Sequence, residues 1–177
     1  MILFRNSRLC FMWDPLLQDI SNFQTKCSIF LEPPTNIIVG AGLWHLATTM
    51  NFSDIESVLI SVRKQFEGVL FDSKNVVFQL QTKSLFYDHG IYKDEDIGRL
   101  NDLIRKVLKD SPTIQMFDSH LKIFDIYSKM CHDYFPRENQ FDDSSFWSCN
   151  DPNHSPFFLT NHFASLILNH FLILNTA

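Results

Sequence analysis

The sequence predicts an α/β domain: a doubly wound, flavodoxin-like parallel sheet with helices on both faces. Three observations carry that prediction. Short apolar runs rich in β-branched residues recur at Asn36–Ala41, Asn75–Leu80 and Thr113–Phe117. Segments with apolar residues at helical spacing lie between them and after the last. The alternation of the two demands crossover connections, which join parallel strands rather than hairpins.

Each element has its own warrant. Leu9-Cys10-Phe11-Met12-Trp13 reads as a short buried strand stopped by Asp14-Pro15. Residues 16–35 are mixed and end in Pro33-Pro34, with no clear period. Asn36-Ile37-Ile38-Val39-Gly40-Ala41 is apolar on both faces and closed by glycine, the pattern of a covered parallel strand. The following helix is expected to start from a capping box of Ser53 and Glu56, bury Ile55, Val58, Leu59, Val62 and Phe66, and stop at Gly68. A second helix over about 94–109 places Ile97, Leu100, Ile104 and Val107 on one face, with Asn101-Asp102 read as surface. After the 113–117 strand, Leu121 to Cys131 reads as a helix with Ser119 near its cap. The stretch from Cys131 to Ser155 is polar and irregular, and a last helix from about Thr160 buries Phe163, Leu166, Ile167 and Phe171.

At 177 residues the chain is one domain, 1–177, with enough length for a core without staples. The net charge of −5 and the lack of any Lys/Arg cluster exclude a nucleic-acid partner. The most apolar run, Phe163 to Leu174, contains His170 and is too short to span a bilayer, so no membrane segment is expected. MILFRNSRLCFMW has an arginine inside its apolar part and does not read as a signal peptide. Cys10, Cys27, Cys131 and Cys149 include no CxxC pair, so neither a metal site nor a cofactor is indicated. They fit either two disulfides or four buried thiols. Asn51-Phe52-Ser53 and Asn153-His154-Ser155 match the glycosylation pattern, and Pro156 makes the second a poor acceptor.

Ligands of parallel sheets bind outside the carboxyl ends of the strands. Three stretches fall there: the turn after Ala41, the turn after Leu80, and the loop SCNDPNHSPFF with Asp151 and His154. Asp-Pro-Asn-His is also a good turn sequence, since Asp and Asn bond their own backbone and Pro fixes φ.

Read together, LCFMWDP, NIIVGAGLWHL and DPNH, followed by a C-terminal helix, resemble the SGNH/GDSL hydrolase superfamily in order and spacing. The likeness is to its PC-esterase-like branch, which includes the lumenal domain of sialic acid O-acetyltransferases. It runs from about Leu9 onward. The resemblance implies a sheet of the SGNH type and a serine-dependent O-acyl ester hydrolase or acetyltransferase acting on carbohydrate-like esters. His154 would be the general base and Asp151 its orienting acid, because serine attacks only once an imidazole takes its proton. The GAGLWH turn would supply the oxyanion hole from Gly42 or Gly40, with Trp44 and His45 lining the pocket. The partner implied is an acylated small molecule or carbohydrate, and the compartment is the secretory pathway, Golgi lumen or extracellular.

Two departures from the pattern stand out. The superfamily's asparagine is missing from the block at 40–45, leaving the hole to backbone, Trp44 or His45. The Gly-Asp-Ser nucleophile block is missing altogether: Ser7, in Arg5-Asn6-Ser7-Arg8, has neither the Gly-Asp nor a preceding strand. The resemblance therefore implies a chain that lacks the family's first strand and is inactive as written. The alternative is a non-catalytic relative that binds a glycan or a protein partner through the same cleft.

Overall fold

The computed structural model describes residues 12–22, 36–48, 51–68, 75–83, 93–134 and 157–174. Among them a three-stranded parallel sheet is formed by β1 (Asn36–Gly40), β2 (Asn75–Gln79) and β3 (Ile114–Phe117), in the order β1-β2-β3. The register sets Ile37 beside Val76 and Val39 beside Phe78, and then Val77 beside Gln115 and Gln79 beside Phe117. Five helices accompany it among the described residues: α1 (Leu43–Ala47), α2 (Phe52–Glu67), α3 (Asp94–Leu108), α4 (Ser119–Tyr134) and α5 (Phe157–Leu174). A 3-10 turn spans Ile20–Asn22.

The period of two along each strand sorts the core into two sides. Ile37, Val39, Val76, Phe78 and Ile114 face one side, where Ile55, Leu59, Val62 and Phe66 of α2 and Leu100, Ile104 and Leu108 of α3 cover them. Helices α2 and α3 are the β1–β2 and β2–β3 crossovers. Placing both on one face while the strands step in one direction is what the handedness rule for parallel connections yields. On the other side Val77 and Phe117 meet Ile167 and Phe171 of α5. Central β2 is thus covered twice, and Val76, Val77 and Phe78 are all fully buried. Each such side chain contributes about 1.5–3 kcal/mol by leaving water. β1 is covered once: Ile37 and Val39 are buried while Ile38 is 50% exposed.

Helices α4 and α5 pack through Phe124, Tyr127, Cys131, Leu159 and Phe163. Cys131 is half of a disulfide. Cys10, Cys27 and Cys149 lie outside the described residues.

The three described strands start where their β-branched runs start, to within one residue. Several local expectations are corrected. Met12 and Trp13 carry no strand, and Leu9–Phe11 lie outside the described residues. The N-cap of α2 is Asn51, whose Oδ1 accepts from the Asp54 N–H at 2.9 Å, so Ser53 and Glu56 form no capping box. Glu56 instead receives Lys106 Nζ at 2.9 Å across to α3. The helix after β3 starts at Ser119, two residues early, and the last helix starts at Phe157, three early. Of the added residues, Leu159 of α5 packs into one cluster with Phe124 of α4.

Candidate functional site

At the carboxyl edge of the sheet the chain turns three times, and each turn is fixed by a different device. After β1, Gly40 is exposed in extended backbone, and a Cβ there would meet only Gln79 Oε1, at 3.8 Å. Gly42 is different. Its φ of +138° is open to glycine, and a Cβ would lie 2.6 Å from Leu100 Cδ2. The Gly42 carbonyl then accepts from the His45 and Leu46 N–H groups at 3.0 and 3.3 Å and starts α1, a helix that sequence periodicity did not reveal.

Two side chains of that turn go to opposite environments. Trp44 is 53% exposed and meets the exposed Trp13 edge to face, ring centroids 6.3 Å apart. His45 is 2% exposed, and its Nε2 lies 3.1 Å from the Leu16 carbonyl. A carbonyl only accepts, so Nε2 carries the proton. Leu16 is presented by a turn in which the Asp14 carboxylate accepts from the Gln18 and Asp19 N–H groups at 3.0 and 2.7 Å. Burial holds the His45 pKa below its ordinary value; the Leu16 bond and the Asp14 charge pull the other way.

The turn after β2 is gripped from α3. Asn101 Oδ1 accepts from the Gln81 N–H at 2.9 Å, and Asn101 Nδ2 donates to the Gln81 carbonyl at 2.8 Å. Asn101 is buried, which corrects its reading as a surface residue. Its helical neighbours Ile97 and Ile104 are both core, and that spacing was the available signal.

The turn after β3 brings in a residue that sequence reasoning missed. His120, in the first turn of α4, is wholly buried, with Nε2 3.0 Å from the Leu80 carbonyl at the end of β2. Its ring stacks on Phe117 at 5.2 Å and takes Phe163 of α5 edge-on at 5.1 Å. Burial lowers its pKa; the Leu80 bond and Asp118 partly offset that. In both histidines Nδ1 is buried without a hydrogen-bond partner among the described residues.

These contacts fix the direction of α5. Phe163 meets His120 at the carboxyl edge, whereas His170, two turns on, lies 3.1 Å from Gln115 within β3. Helix α5 therefore runs antiparallel to the strands and begins on the carboxyl side of the sheet. Asp151 and His154 lie outside the described residues, in the segment directly preceding α5. Of the expected site residues, the described ones are thus Gly40 and Gly42 at the rim, Trp44 in solvent and His45 beneath the turn. No metal-holding group of His, Cys, Asp or Glu occurs among the described residues. An open groove between α2 and α3 is occupied by its own pairs, Lys106 with Glu56 and Arg99 over the Phe52 ring at 4.2 Å. No helix among the described residues is long and apolar enough to cross a membrane. No family model matches the chain, and neither a curated protein nor a solved structure matches it either.

Proposed function

We propose that the chain carries the acid-and-base half of an SGNH-type, doubly wound O-acyl esterase or acetyltransferase site, with Asp151 and His154 as its pair. The observation that supports this most is the direction of α5. That helix begins on the carboxyl side of the sheet, the side of Gly40, Gly42 and Trp44. In sequence, His154 is three residues before Phe157, the first residue of that helix.

In this reading the His154 imidazole takes the proton of an attacking hydroxyl and later returns it to the leaving group. Asp151 holds the ring in the tautomer that leaves the accepting nitrogen free. Pro152 restricts the backbone between the two and reduces the freedom lost when they align. The N–H groups of the turn at Gly40 and Gly42 are candidate donors to the developing oxyanion. The indoles of Trp13 and Trp44 offer exposed apolar faces with polar edges, which suit the C–H face of a sugar ring.

The test is acetate release from an O-acetylated sugar by the full-length protein. His154→Ala is expected to abolish release by a factor of about 10³ or more while the circular dichroism spectrum is kept. Unchanged turnover in that variant removes His154 from the mechanism. Saturable binding of the acetylated sugar, with no turnover in the unaltered protein, favours instead a non-catalytic relative that uses the same rim.

A further inference from the structure

We infer that Asn51 is an N-glycosylation site, the side-chain amide at the head of α2 that takes an oligosaccharide on Nδ2. The sequence supplies the acceptor tripeptide Asn51-Phe52-Ser53, with no proline at its centre. Taken alone that is a frequent coincidence, and three structural observations raise it above one.

Asn51 and Ser53 are both exposed, at the start of a helix that buries Ile55, Leu59, Val62 and Phe66. The amide is also divided in its work. Oδ1 accepts from the Ser53 hydroxyl at 2.6 Å and from the Asp54 N–H at 2.9 Å, while Nδ2 makes no hydrogen bond among the described residues. The capping task therefore rests on the oxygen, and the nitrogen that a glycan would occupy is open to solvent. A glycan on Nδ2 leaves both bonds to Oδ1 in place, so the modified chain keeps its helix cap. Finally, the disulfide at Cys131 is compatible with an oxidising compartment, the setting in which this modification occurs.

The reaction is a transfer from a lipid-pyrophosphate-linked oligosaccharide. The bond between the sugar C1 and the pyrophosphate oxygen breaks, and the pyrophosphate leaves with the electron pair. A bond from C1 to Asn51 Nδ2 forms, and one proton of the amide passes to a base of the transferase. The inference stands apart from the proposed ester chemistry, since Asn51 heads α2 and takes no part in the rim's hydrogen bonds.

The test is expression of the full chain behind a secretory leader in mammalian cells, followed by digestion with an N-glycan amidase. The expected result is a gel-mobility step that the amidase removes, with Asn51 converted to Asp in the peptide map. Ser53→Ala is expected to lose that step while α2 and its Asn51 cap persist, and Ser53→Thr to keep it. A secreted chain whose Asn51 stays unmodified overturns the inference. So does a Ser53→Ala chain that still carries the glycan at Asn51.

Discussion

Gly42, Asn101 and His120 hold the carboxyl rim in shape, each through one atom-scale constraint. Gly42→Ala forces a Cβ into Leu100 at a left-handed backbone position, and a loss of about 1–3 kcal/mol in urea unfolding is expected. Gly40→Ala, in extended backbone with only an ordinary contact nearby, is expected to be nearly silent. Asn101→Ala abandons both the N–H and the carbonyl of Gln81, each worth about 1–3 kcal/mol if left unpaired away from water. Gly42 was legible as a turn glycine, but not the leucine that enforces it, because Leu100 is 58 positions away by their numbers. His120 was illegible for a related reason. A histidine three residues past a strand reads as a surface residue until Phe163, from a distant helix, closes over it.

The same histidine gives the rim a pH dependence whose sign follows from its burial. His45 and His120 are each held below the ordinary value of 6.5, first by burial. On acidification the unfolded chain therefore takes up these protons before the folded chain does. Their contribution is complete above about pH 6.5 and drains as pH falls toward the folded values, at no more than about 1.4 kcal/mol per pH unit for each. His120→Phe keeps the stacked ring but removes one such proton and leaves the Leu80 carbonyl without its donor. The variant is expected to be less stable than the parent near neutral pH, and the gap to narrow at about pH 5. An equal gap at both values contradicts this assignment.

Among the elements, helices α4 and α5 form a pair whose contacts concentrate at Cys131, Leu159 and Phe163. Because Cys131 is disulfide-bonded, reduction is expected to lower the unfolding free energy by about 2–4 kcal/mol, measured by denaturant titration with and without a thiol reductant. An unchanged midpoint would show that the bridge adds nothing to the pair. The strands and the two crossover helices were legible to within a residue or two, because β-branched runs and a 3.6-residue period are local signals. Element ends were not. Asn51 took the cap of α2 from the expected Ser53–Glu56 box once Glu56 was drawn across to Lys106, an interaction between residues 50 apart. Five-residue α1 was hidden because it is shorter than the window over which periodicity can be read.

At the scale of the whole molecule, one geometric relation joins the fold to the proposed chemistry. Two crossovers on one face set three strands side by side with their carboxyl ends together, and an antiparallel α5 on the other face starts from that same edge. The glycine turn was legible in the sequence as a candidate rim. That α5 begins on the side of the glycine turn was not, because it depends on which end of α5 meets His120. The measurement that tests this most directly replaces His154 with a photoreactive benzophenone amino acid and maps its cross-links by mass spectrometry. The account predicts attachment within residues 40–45 or at Gln81 and Thr82. Cross-links to Asn36, Asn75 or Thr113, at the amino ends of the strands, would contradict it.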